Sequence, residues 1–344
     1  MLSRILVLLF ILSVQPLDAA SARVITDMAG NTVTLPERVE QVATVGPVPV
    51  LNSLVFAIGK GNCIINGLPD WAKRPRYAYQ MVFAPNISAL PSMDNHDHTP
   101  NLEALLRAAP DVVLTMDQAS ADSMRRAGLS AVYLAWRQPE DVKEAVRLLG
   151  QLFDKPQAAE RYAKRFDSTL ERIAKILDQN GSPTRPRVLY FNPTTLTQPH
   201  LVAEWWIRTA GGESVTDDNR NIESRSFTME QLLAWDPDIL IVSSQEEVAE
   251  LKREPRFDGL KAVRTGRILV VPCGAHTWGN RTSEQPLTVL WAAKQFHPGL
   301  FRNVDVVAET RGFYNDIFEA SLSKTQVEEI LAGGPHAPQT PASK

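Results

Sequence analysis

Three groups of side chains in this sequence are placed to do chemistry. His96-Asp97-His98 sets two imidazoles two residues apart. In an extended segment they point the same way, and neutral imidazole ligates nickel, zinc, copper or iron. Two histidines are too few for a closed metal site. The chemistry they suit is the last ligand to a chelate that already holds its metal, with His276 as a further donor from the other half of the chain. The competing reading is a polar surface turn leading into Thr99-Pro100. Trp71, Trp136 and Trp278 each follow a predicted strand. An aromatic face there can stack on a planar or macrocyclic ligand, or it can fill the core. Trp278 is flanked by His276 and Arg281. Arg281 can pair with a carboxylate, catecholate or oxyanion, or with its neighbour Glu284. The stretch from Asp70 to Leu90 mixes Trp71, Lys73, Arg74, Arg76, Tyr77 and Tyr79, which suits either a lid over an anionic ligand or a solvated loop packed by its aromatics.

Other chemistries are not supported. No H-E-x-x-H, G-x-S-x-G, P-loop or G-x-G-x-x-G stands in the sequence, so an exported metal-dependent hydrolase is the distant alternative and no enzyme is expected. The chain has 344 residues, 44% hydrophobic and 22% charged, the composition of a soluble globular protein with room for two cored domains. A net charge of −3 implies no broad basic surface for nucleic acid. Two cysteines, Cys63 and Cys273, cannot build a disulfide framework or a four-thiolate zinc site. They read as buried free thiols, although an oxidising compartment would allow them to pair.

The positioning elements alternate. Arg4, the apolar run Ile5 to Leu12 and the ending Ala20-Ser21-Ala22 read as a secretory signal over 1–22, too short to span a bilayer and followed by no lipoprotein cysteine; the expected location is the periplasm. Ile25 to Leu35 reads as a hairpin around Gly30-Asn31. Strands are predicted at Val42–Val45, Cys63–Ile65, Val112–Leu114 and Ala131–Leu134, with helices at Val50–Ile58, Leu102–Ala108 and Ala119–Ala127. From Pro139 to Gln179 no strand signal appears. Pro156 divides this stretch into two helices, and the second repeats Ala159, Tyr162, Ala163, Phe166, Leu170, Ile173 and Leu177 on one face. Alternation then resumes, with strands at Arg187–Phe191, Ile239–Val242 and Ile268–Val271 and helices at Leu201–Ala210 and Met229–Ala234. Strand–helix alternation implies parallel sheets. The division is therefore an N-terminal α/β lobe (23–138), connecting helices (139–180), a C-terminal α/β lobe (181–333) and a disordered tail (334–344).

One unit occurs twice. Asn101-Leu102-Glu103-Ala104-Leu105-Leu106 runs into Pro110-Asp111 and an apolar strand; Thr228-Met229-Glu230-Gln231-Leu232-Leu233 runs into Pro237-Asp238 and another. Glu103 to Pro110 and Glu230 to Pro237 have equal spacing. First-turn glutamates are common because the helix dipole favours them, but matched spacing in both halves points to a pseudo-symmetric, two-lobed protein.

With these units, the hairpin Asp27-Met28-Ala29-Gly30-Asn31-Thr32-Val33, the strand Gly266-Arg267-Ile268-Leu269-Val270-Val271 and the segment Trp278-Gly279-Asn280-Arg281 through Lys294 and Phe296-His297-Pro298, the chain resembles the substrate-binding proteins of bacterial ABC importers, in the iron-siderophore, haem and vitamin B12 binding family. The resemblance covers nearly all of 23–333. It implies two Rossmann-like lobes with mainly parallel sheets joined by a long helix, and a ligand cleft at the carboxyl ends of the strands; the rigidity of one long connecting helix predicts small lobe movements on binding. It implies a monomer without intrinsic cofactor that delivers its ligand to a permease dimer with a cytoplasmic ATPase. It also implies that Glu103 and Glu230 salt-bridge to arginines of that permease. The ligand implied is a metal chelate, iron-siderophore or related, bound by Trp71, His96, His98, Trp136, His276, Trp278 and Arg281. The alternatives are free or chelated nickel, cobamide, haem, or an oxyanion such as molybdate. His96-Asp97-His98 replaces the Gly-rich loop usual in the family.

Overall fold

The computed structural model describes residues 22–181 and 183–335. The expected export signal and all but the start of the expected tail lie outside these residues. Two parallel sheets organise the chain. In the first, Val112–Thr115 is central, with Val42–Val45 on one side and Ala131–Tyr133 on the other. In the second, the order is Ile268–Val270, Ile239–Val242, Arg187–Tyr190 and Glu213–Ser214, all parallel. The central strands are buried along their whole length, as sheets covered by helices on both faces require. Arg23–Thr26 and Thr32–Leu35 form the antiparallel hairpin. The buried Asp27 carboxylate holds it, accepting the backbone N–H groups of Ala29 (3.0 Å) and Asn31 (2.8 Å) and pairing with Arg125.

The repeated unit folds the same way twice. Helices Leu102–Ala108 and Met229–Trp235 have seven residues each. Asn101 and Thr228 cap their first turns, and a left-handed residue, Ala109 (φ 48°) or Asp236 (φ 38°), ends each one. The aspartate of each Pro-Asp then ties its strand to a neighbour. Asp111 accepts the N–H groups of Glu40 (2.7 Å) and Gln41 (2.8 Å), and Asp238 accepts that of Arg187 (2.8 Å). The matched spacing in the sequence therefore reflects a matched structural device.

The connector is two helices, Asp141–Leu152 and Pro156–Gln179, with Pro156 at the first turn of the second, where its missing N–H costs nothing. At 24 residues the second is about 36 Å long. Its inner face buries Ala159, Tyr162, Ala163, Phe166 and Ile173. One apolar cluster runs from the N-terminal lobe (Leu51, Val55) through the connector (Tyr162, Phe166) to the C-terminal lobe (Trp206, Leu290, Tyr314). A core shared between lobes, together with a long rigid helix, opposes wide hinge motion.

Two sequence expectations fail here for physical reasons. Cys63–Ile65 is not a strand. Gly61–Cys63 is a short 3-10 turn, and only Ile64 bridges to Val42. The Asn66 side chain takes over the ladder: its Oδ1 accepts from Thr44 N at 2.8 Å and its Nδ2 donates to Thr44 O at 3.0 Å. The stretch 70–90 is neither a free lid nor a solvated loop. It folds into short helical turns that strap the N-terminal lobe to the C-terminal one. The Tyr79 hydroxyl lies 2.8 Å from two acceptors, Gln326 O and the Glu329 carboxylate, Gln80 Nε2 donates to Ala275 O, and Phe83 stacks on Tyr314 at 5.1 Å. Cys63 and Cys273 are both free, Cys273 fully buried. Among the described residues no helix is long and apolar enough to cross a membrane.

Candidate functional site

Segments that follow strands of both lobes meet across a cleft, Trp136 to Pro139 from the first and Arg281 from the second. On the C-terminal side its wall is the loop Cys273 to Arg281, which must pass very close to its neighbours. A Cβ on Gly274 would lie 2.0 Å from the Tyr314 hydroxyl, and one on Gly279 would lie 2.6 Å from the Tyr190 ring, so only glycine fits at either place. Glu284 fixes the loop from beneath. Fully buried, its carboxylate accepts the N–H groups of Ala275 (3.0 Å) and His276 (3.1 Å) and the hydroxyls of Thr282 (2.7 Å) and Tyr314. Burial pushes the Glu284 carboxyl above its usual range, against these four hydrogen bonds.

The 70–90 strap delivers Arg76 and Tyr77 to this loop. Arg76 Nη2 donates to Thr277 Oγ1 at 3.1 Å, and Arg76 O accepts from the Cys273 thiol. Its Nε is buried without a hydrogen-bond partner. Among the described residues Arg76 forms no salt bridge; its guanidinium lies over the Tyr77 ring at 5.6 Å, and Glu247 is near enough to feel its charge. Tyr77 stacks on His276 at 5.5 Å with the rings 15° apart. His276 is 5% exposed, and its Nδ1 has no partner. Burial, helped by the nearby charges of His200, Arg76 and Arg281, lowers its pKa to about 3, so the ring is neutral at any physiological pH.

Beside this group, a cavity of about 320 Å³ opens between the end of the N-terminal lobe and the C-terminal lobe. Trp136, with its indole N–H buried and unpartnered, and Trp205 line it. Four arginines (137, 208, 220, 281) face three carboxylates there (Glu204, Asp217, Glu223). The pairs are Arg208–Asp217 at 2.9 Å, Arg220–Glu204 at 3.1 Å and Arg281–Glu223 at 3.8 Å, which leaves Arg137 in excess. Glu223 also holds His200 at 3.0 Å.

The expected site residues separate into three groups. Trp136, His276 and Arg281 gather at the cleft, but the partner of Arg281 is Glu223, not Glu284. Trp278 does not face the cleft. It is fully buried beneath the loop, because the close passage at Gly274 and Gly279 turns it inward. Trp71, His96 and His98 line a second hollow, of about 470 Å³, on the N-terminal lobe with Asp94. The histidine segment is not extended. His98 is left-handed (φ 65°), and Asp97 folds the turn by accepting from Thr99 N and Oγ1, so the two imidazoles lose the shared direction of a strand. The rings Trp71 and Tyr77 stand in series between His98 and His276. No group of three or more His, Cys, Asp or Glu is placed to hold a metal ion among the described residues. The segment itself is an exposed polar turn. Sequence reasoning missed Glu204, Trp205 and Arg220, and it named Glu284 only as a partner for Arg281. Arg76 was visible only as one cation among several in an aromatic stretch.

Among the titratable groups of that second hollow, Asp94 is the one that burial shifts upward. Burial raises its carboxyl to about 6, against the Gly46 N–H (2.9 Å) and the nearby His98. The native state thus holds this proton more tightly than the unfolded chain. The stabilisation is complete below about pH 4 and is lost as pH rises through about 6. Asp94→Asn keeps the acceptor to Gly46 and removes the buried charge. Its melting temperature should match wild type near pH 4 and exceed it at pH 7; equal melting temperatures at both pH values would contradict this account of Asp94.

Comparison with known proteins fits this geometry. A family model described as periplasmic binding protein matches residues 63–273. The molybdate-binding protein MolA of Haemophilus influenzae is 22% identical over 339 residues, covering 90% of this chain and 95% of MolA. Among solved structures, a periplasmic solute binding protein from Veillonella parvula superposes with a TM-score of 0.78 at 26% identity, over 91% of this chain and 97% of that one. MolA bound to molybdate superposes with a TM-score of 0.75 at 19% identity, over 88% and 99%. Helicobacter pylori CeuE with Ni(II) bound gives 0.71 at 18% identity, over 90% and 99%. With two parallel-sheet lobes, a helical connector and the cleft between them, this chain belongs to the periplasmic binding protein family, the solute-binding components of ABC transporters.

Proposed function

We propose that this protein captures an anion in the inter-lobe cleft and hands it to a membrane permease, and that a tetrahedral oxyanion of the molybdate class is the ligand its chemistry fits best. Arg76 carries the reading. It is a largely buried guanidinium with no carboxylate partner, an unused Nε–H and a position at the strand ends of the opposite lobe. A buried unpaired cation is costly, and an oxyanion resolves it with charge-assisted hydrogen bonds. The neutral His276, the Thr277 hydroxyl and the excess arginine of the adjoining cavity add donors and positive potential. The likeness to MolA supports the same class.

A second reading, an acidic metal chelate such as an iron-siderophore, is favoured by one observation. The cavity that Arg281 lines, with Trp136 and Trp205 on its walls, is larger than a simple oxyanion needs and has apolar faces for an organic scaffold. In either reading the metal is cargo. Free nickel fits less well, because the described side chains offer no convergent ligand set. Delivery uses Glu103 and Glu230, both exposed in first turns of the matched helices.

Titration followed by tryptophan fluorescence tests the ligand class. Sodium molybdate or tungstate should give a saturable change in tryptophan emission, and nickel chloride none. A response to nickel alone, with none to oxyanions or to a ferric catecholate, would overturn the anion reading.

A further inference from the structure

Five large apolar side chains stand well exposed among the described residues: Val24, Val82, Leu106, Ile222 and Leu233. Single exposed leucines are ordinary. Here, however, Leu106 (51% exposed) and Leu233 (44%) occupy the same position of the same unit in the two lobes, three residues after Glu103 and Glu230. Residues three apart on a helix are surface neighbours. The core is served by the preceding residues, Leu105 and Leu232, both fully buried. Neither exposed leucine belongs to the apolar core of its lobe, yet both stand beside the acid.

We propose that Leu106 and Leu233 are the apolar centres of two docking knobs, each seated in a small apolar recess of one permease subunit, with Glu103 and Glu230 at the polar rim. This rests on the permease-docking reading above and adds to it the residues that hold the complex. Two copies of one acid–leucine motif, displayed by pseudo-symmetric lobes, match a partner that presents one receiving surface twice, a two-fold dimer. The division of labour is the usual one, an apolar centre within a charged rim. The glutamates steer approach to basic side chains and set orientation. An exposed ion pair adds little lasting affinity, and Glu103 is already engaged by Arg107 of its own helix, so trading that partner for a permease cation gains little. Desolvating two leucines supplies what the charges do not.

The test is binding of the full-length mature protein to its permease complex in nanodiscs, read as association and dissociation rates at two salt concentrations. Leu106→Ser/Leu233→Ser should bind about tenfold more weakly, mainly through faster dissociation, with the salt dependence kept. Leu106→Met/Leu233→Met should restore most of the loss. Glu103→Gln/Glu230→Gln should instead slow association and flatten the salt dependence. Both leucines are exposed, so melting temperatures should be unchanged. Wild-type binding by the serine variant beside impaired binding by the glutamine variant overturns this inference and leaves the docking reading standing. Wild-type binding by both overturns the docking reading itself. Leucine-dependent binding to permease-free nanodiscs of phosphatidylethanolamine and phosphatidylglycerol would show a membrane contact and overturn the inference.

Discussion

Arg76→Gln should weaken molybdate binding by about two orders of magnitude, roughly 2.7 kcal/mol, while leaving the fold intact. Among the described residues the substitution breaks no salt bridge, and Arg76 donates to Thr277, a contact for which glutamine keeps a donor. What is lost is the formal charge in a largely buried position, where a charge-assisted hydrogen bond to an oxyanion counts for most. Arg281→Gln should cost much less, because Glu223 already neutralises Arg281 (3.8 Å). The order of the two effects is the informative part: a larger loss at Arg281 would move the ligand into the cavity beside Trp136. Between pH 5 and 8 the affinity should be flat, because His276, lowered to about 3, does not gain a proton there. Calorimetric titration of both variants and of wild type at two pH values checks all three expectations.

The second large effect concerns delivery. Glu103→Ala/Glu230→Ala should abolish most ligand uptake in cells while calorimetric affinity for molybdate stays at the wild-type value. Both carboxylates are on the surface, remote from the cleft loop. Glu103 pairs with Arg107 of its own helix, and Glu230 bonds near its own cap at Thr228, so neither substitution disturbs the core. Alanine is also the best helix former. Each single variant should be milder than the pair, since one remaining acid still orients one lobe. Unimpaired uptake by the double variant would remove the glutamates from the docking role.

The parts of this protein that were legible in its sequence are those fixed by local pattern. Pro-Asp after a short capped helix marked the central strand of each sheet. Pro156 marked the start of the connector, and the three-and-four repeat of apolar residues marked its buried face. The parts that were not legible depend on contacts between remote segments. Arg76 meets Thr277 across 201 positions, and nothing near Arg76 distinguishes it from Arg74 or Lys73. Trp278 carries the composition of a ligand-stacking residue, yet Gly274 and Gly279 bring the loop so close to Tyr314 and Tyr190 that the indole turns into the core. The histidine pair was read with strand geometry, while Asp97 folded it into a turn. In each case the residue types were correctly noticed, and a neighbour's side chain decided the direction.

The central claim is that the cleft holds an anion through Arg76. Native mass spectrometry of wild-type protein and Arg76→Gln, each purified from the periplasm and then exposed to molybdate, tests it most directly. The expected result is a one-to-one adduct on wild type, an oxyanion or an acidic metal chelate, that is missing from Arg76→Gln. A wild-type protein that carries no anion, or an adduct of a bare metal ion retained by both proteins, would contradict it.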